Sequence, residues 1–115
     1  MALVYKITPR SLWHQAQSLG VFKGSPVDIE DGFIHFSTAE TLMATLEKHF
    51  KGQTDLLLFA VEAGEFDKAD LKWEPARGGE LFPHLYTDLL LNKVLWVKPI
   101  DDLAHGTHQL PEIIS

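Results

Sequence analysis

The amino-acid sequence predicts an α+β domain. Two stretches with helical spacing come early, strand-like apolar runs dominate the later part of the chain, and no linker divides it. At 115 residues with 45% hydrophobic side chains, residues 1–115 have the size and apolar content of a single domain with a small core.

Leu3 to Ile7 reads as the first strand. Thr8 is placed to cap a helix, Pro9 suits its first position, and Leu12, Trp13, Ala16 and Leu19 recur at helical spacing before Gly20. VFKGSPVDIEDG reads as loop with one extended stub, and Asp31-Gly32 as a tight turn into the short strand FIHFS. Ser37 and Glu40 have the S-x-x-E spacing of a capping box, and Leu42, Met43, Leu46 and Phe50 mark one face of a second helix ending near Gly52. LLLFAVE, Leu56 to Glu62, is an almost unbroken apolar run of strand length, so it is expected at the centre of the sheet, covered on both faces. A loop at AGEFDKAD, a short strand LKWE, the loop PARGGE, the segment LFPHLY, a turn near Thr87-Asp88 and a final strand KVLWVKPI complete the pattern. The tail from Asp101 reads as loop.

Composition narrows the function. No apolar run approaches the ~18 to 20 residues that cross a bilayer, and MALVYKITPR lacks the basic, apolar, small-residue order of a signal peptide, so a soluble cytoplasmic protein is expected. The absence of cysteine removes disulfides, thiolate nucleophiles and cysteine-based zinc sites. A formal net charge of −6 opposes an extended nucleic-acid partner, which needs many cationic contacts to phosphate, whereas a small phosphate ligand needs only a few local cations. No H-E-x-x-H, G-x-S-x-G, Walker or G-x-G-x-x-G motif occurs, and His105 and His108 have no third partner at zinc spacing, so no metal is expected.

Strand alternation then groups the polar residues. Phe33, His35 and Ser37 share one face of their strand, with Thr38 just beyond, and Phe82, His84 and Tyr86 share one face of theirs. If both strands lie on one sheet face, His35, Ser37, His84 and Tyr86 line one pocket, floored by Phe33 and Phe82 and entered past Arg77-Gly78-Gly79. A lone strand histidine is most often a satisfied core group, whereas two histidines each followed by a hydroxyl two residues on point to a site. Arg77, in the glycine-paired loop, is placed for a two-point grip on phosphate or carboxylate. On the strand LKWE, Trp73 is expected in the core, and Glu74, on the opposite face, is either a solvated acid or a site acid.

VYKI, DGFIHFST, KWEP, GGELFPHLY and the closing valine-rich strand together resemble the small bacterial family called domain of unknown function 952, across nearly the whole chain. The resemblance implies kinship with the ADP-ribosyltransferase fold: two early helices packed on a split, mainly antiparallel sheet of about five to six strands that grips NAD in a cleft. By position it implies that Tyr5 or Lys6 contacts the NAD ribose, that His35 with Ser37 borders the nicotinamide pocket, and that His84, Tyr86 or Glu80 assists transfer. The expected function is therefore a pocket for a small nucleotide-like ligand, with NAD as candidate co-substrate for ADP-ribosyl transfer. The alternatives are a non-catalytic small-molecule or partner-binding module and, further off, a metal-free hydrolase or cyclase using the two histidines.

Overall fold

A computed structural model describes residues 2–113, with Arg77 described by its backbone alone. In chain order the elements are β1 (Leu3–Pro9), α1 (Arg10–Leu19), β2 (Val21–Phe22), α2 (Pro26–Asp31), β3 (Ile34–His35), α3 (Leu42–His49), β4 (Leu56–Glu62), β5 (Leu71–Ala76), β6 (Glu80–Leu85), β7 (Leu89–Leu90), β8 (Val94–Asp102) and β9 (His108–Gln109). All strand pairings among them are antiparallel, in the orders β1-β4-β8-β9, β3-β6-β5 and β2-β7. Tyr5 and Ser37 exchange two backbone hydrogen bonds of 2.8 Å, tying the segment after β3 to β1. The fold is α+β, with a curled antiparallel sheet and few helices.

β4 explains its own unbroken apolar sequence. It pairs with β1 on one side and β8 on the other. Leu57, Phe59 and Val61 face a core with Trp13, Phe22 and Phe36, while Leu56, Leu58 and Ala60 face a second core with Tyr5, Ile7, Leu42 and Leu46. With both faces covered, period-two alternation has no polar side to show. α1 closes the first core, with Trp13 lying 5.2 Å from Phe59. Gly20, at φ +80°, ends that helix by donating its N–H to the Ala16 carbonyl at 2.7 Å.

Several expectations need correction. VFKGSPVDIEDG contains the helix α2 as well as the extended stub β2. Ser37 does not cap a helix, because its backbone is engaged with Tyr5; α3 starts later, after Thr41. β1 runs on to Pro9, so α1 begins at Arg10 and Thr8 is not its cap. Leu19, at the last turn of α1, is exposed. Trp73 is 43% exposed, because β5 is the outer strand of its sheet and the core beneath that face reaches only Leu71. The tail is not all loop: β8 continues to Asp102, and β9 is held by the buried His108, whose Nε2–H donates to the Gln53 carbonyl at 2.6 Å.

Candidate functional site

The two strand histidines meet. His35 and His84 are direct partners in the β3–β6 pairing, and their ring centroids lie 5.4 Å apart. Alternation does what the sequence implied: Ile34 and Phe36 enter the core, and His35 and Ser37 take the opposite face. Phe33 stacks on the His84 ring at 4.1 Å and 25°.

Each ring is held by carboxylates. His35 Nδ1 lies 2.6 Å from Asp28 Oδ1, and its Nε2 lies 3.0 Å from Asp31 Oδ2, so α2 grips the imidazole from both ends. His84 Nδ1 donates to Glu74 Oε1 at 2.8 Å, and the same oxygen accepts the Tyr86 hydroxyl at 2.5 Å. In the neutral ring this leaves Nε2 as an acceptor, and among the described residues it has no partner.

Asp28 is the centre of the first group. Its carboxylate is fully buried and accepts four hydrogen bonds, from Ser25 N–H (2.8 Å), His35 N–H (3.2 Å), His35 Nδ1 (2.6 Å) and Lys6 Nζ (2.8 Å). Burial by itself pushes the pKa of this carboxyl up, but the His35 hydrogen bond and the adjacent Lys6 charge outweigh it and hold Asp28 far below the ordinary carboxylate range. Burial lowers the Lys6 ammonium from its usual value, with Asp28 opposing. Gly24 makes the close approach of α2 workable: at φ +106° it has no Cβ, and one added there lies 2.6 Å from Asp28 Cβ.

The second group is more open. Hydrogen bonds from Tyr86 and His84 keep the Glu74 carboxyl below its ordinary range, and the same Glu74 bond raises the Tyr86 hydroxyl. Lys72 Nζ sits 4.9 Å above the Tyr86 ring.

Lys6, Asp28, Asp31 and the two histidines border a cleft of about 650 Å³ between β1, α2, the β3 segment and α3. Of the residues the sequence singled out, Tyr5, Lys6, His35, Ser37 and His84 line it. Ser37 Oγ donates to Thr45 Oγ1 at 3.2 Å, and burial raises the Tyr5 hydroxyl. Tyr86 is 41% exposed outside the cleft and reaches it only through Glu74 and His84, because β6 ends at Leu85. Thr38 is used in the turn before α3, bonded to Thr41, and Glu80 is exposed away from the cleft. Phe82 lines the cleft, whereas Phe33 is spent on the His84 ring. The Arg77 side chain lies outside the described residues. Asp28, Asp31, Thr45, His49 and Gln53 are lining residues that sequence reasoning missed. For Asp28 a signal existed: Ser25-Pro26-Val27-Asp28 has a capping residue, a proline at the first helical position and an acid at the third. Among the described residues, no group of three or more His, Asp or Glu is placed to hold a metal ion, and no helix is long and apolar enough to cross a membrane.

Fold and site together define a small α+β domain whose curled sheet carries a cleft with two carboxylate-backed histidines. The chain belongs to the family described as "Protein of unknown function (DUF952)", whose profile matches residues 7–97. It is similar to the crystal structure of protein CC0527 from Caulobacter crescentus, with 48% identity, 93% of each chain covered and a TM-score of 0.89. The solution NMR structure of CC0527 gives 49% identity over 92% of this chain and 90% of that one, with a TM-score of 0.81. No curated protein matches the chain.

Proposed function

We propose that the cleft binds a small nucleotide-like ligand, and that His84 acts on it. The observation that carries this reading is the state of His84: one ring nitrogen is fixed by Glu74, and the other, at the cleft, has no partner among the described residues. A histidine serving only the core has both nitrogens satisfied internally. A volume of about 650 Å³ lies within the ~300 to 1,000 Å³ usual for ligand sites. A curled antiparallel sheet with the cleft beside β1 supports an ADP-ribosyltransferase-like scaffold, with NAD as co-substrate and Tyr5 and Lys6 on the first strand beside the ligand. In that chemistry neutral His84 accepts one hydrogen bond from the ligand at Nε2 and so orients the reacting group.

One observation favours the non-catalytic alternative. His35 has both nitrogens engaged by Asp28 and Asp31, so it orders the cleft wall and has no nitrogen left for proton transfer. One experiment separates the readings: calorimetry with NAD, ADP-ribose, AMP and inorganic phosphate, followed by assay of nicotinamide release. Saturable NAD binding with release that His84→Ala abolishes supports transfer. Binding without release supports the binding module, and no binding of any nucleotide refutes the nucleotide reading.

A further inference from the structure

The buried charges at the deep end of the cleft differ in how fully they are used. Asp28 accepts four hydrogen bonds, the full capacity of a carboxylate, and has nothing left for a ligand. Lys6 is the opposite case. Its ammonium has three donors and its side chain is only 7% exposed, yet among the described residues it meets one acceptor, Asp28 Oδ2. It also lines the cleft, as does His84 with its open Nε2. The deep end thus presents donors at Lys6 and, on the neutral imidazole, an acceptor at His84.

Charge selects among the ligand groups that fit. Lys6 is neutralised by Asp28, and the Asp31 carboxylate stands beside the His35 ring. The cluster carries no net positive charge, so a phosphate dianion entering it loses its hydration without a matching Coulomb gain. An uncharged carbonyl oxygen loses far less, and two of the Lys6 N–H bonds are open to it. The remaining wall is largely apolar, with Ile7, Leu12, Phe36 and Phe82, and suits a flat ring.

We propose that the deep end of the cleft recognises an amide or lactam carried on a ring, its carbonyl oxygen on Lys6 and its N–H on His84 Nε2, and does not take a phosphate. The proposal rests on the reading of this cleft as a ligand site and adds which end of the ligand enters. A nucleotide then binds with its base or amide ring inward and its phosphates toward the mouth.

The test is an amide-resonance NMR titration with benzamide, uridine and inorganic phosphate. Benzamide and uridine should move the Lys6, His35 and His84 resonances along saturable curves, and phosphate at equal concentration should leave them in place. Lys6→Met should weaken both organic probes about tenfold or more, the effect of losing a charged hydrogen bond. Because that variant leaves Asp28 buried without its counter-ion, the double variant Lys6→Met/Asp28→Asn serves as the folded control, its spectrum confirming the fold, and should show the same loss. Phosphate binding as tight as the organic probes, no shift with either probe, or unchanged benzamide affinity in the double variant overturns the proposal. The two readings fail separately. NAD binding that ignores Lys6→Met/Asp28→Asn sinks the amide subsite and spares the nucleotide reading, whereas Lys6-dependent benzamide binding without NAD or ADP-ribose binding does the reverse.

Discussion

Replacing Asp28 with alanine should be among the most damaging single changes in this chain. The carboxylate is fully buried, and its loss removes four hydrogen-bond acceptances while leaving the Lys6 ammonium, 7% exposed, without its counter-ion. Breaking a buried ion pair from one side costs about 3–5 kcal/mol, against a total of roughly 5–15 for a domain of this kind. At about 4 °C per kcal/mol for a chain of this size, the melting temperature should fall by about 12–20 °C. The pair is coupled, so Lys6→Met/Asp28→Ala should be less destabilised than the sum of the single changes by about 2 kcal/mol. Acidity adds a second signature. The folded Asp28 carboxyl is held below its unfolded value, so its contribution is complete above the ordinary unfolded value of about 3.9 and declines as pH falls further toward the folded one. Urea denaturation of wild type, both single variants and the double, at neutral pH and again below pH 4, measures all of this. A loss below about 1 kcal/mol for Asp28→Ala, strict additivity in the double variant, or an acid-dependent decline of equal size in Asp28→Ala and wild type refutes the reasoning.

Other perturbations separate site from scaffold. His84→Ala should reduce ligand affinity by about tenfold while costing about 1 kcal/mol or less in stability, since its partner Glu74 is half-buried and keeps Tyr86; calorimetry with paired urea melts checks both. Gly24→Ala should cost more than Gly20→Ala, although both glycines have positive φ. A Cβ at Gly20 meets open space, whereas one at Gly24 collides with Asp28, so the Gly24 variant should also shift the His35 and Lys6 resonances. Leu58→Ala, fully buried between β1 and β8, should cost about 2–5 kcal/mol by thermal or urea unfolding and leave ligand affinity per folded molecule unchanged.

The legible parts of the sequence were those where one strong rule acts without competition. β4 could be read because a strand covered on both faces has no reason to alternate. The facing histidines could be read because period two fixes which side chains share a face, and a β3–β6 pairing then sets His35 opposite His84. Ser37 was misread because the local S-x-x-E pattern competes with a backbone pairing to Tyr5, 32 positions away in the chain, and the long-range partner prevails. α2 was missed for a related reason. PVDIED has no apolar face to reveal it: Val27 and Ile29 are 55% and 66% exposed, and the one buried side chain is Asp28. Hydrophobic periodicity is silent about a helix whose attachment is ionic.

That attachment bears on why the buried charges are present at all. A well-packed apolar pair in place of Lys6 and Asp28 would often be neutral or stabilising, so their contribution to stability alone is weak grounds for keeping them. α2, however, contributes nothing to either apolar core and is bracketed by Gly24 and Gly32 at positive φ, so the contacts that hold its carboxylates against the sheet are those of Asp28 with Lys6 and His35, and of Asp31 with His35. An apolar replacement would fill the same volume without fixing the direction of a short helix, because hydrophobic contact is non-directional. Three hydrogen bonds from Lys6 and His35 converging on one carboxylate do fix it. The same bonds set the His35 ring in place beside His84, so one charge cluster positions the cleft wall, orders one histidine and leaves the open Lys6 donors at the cleft.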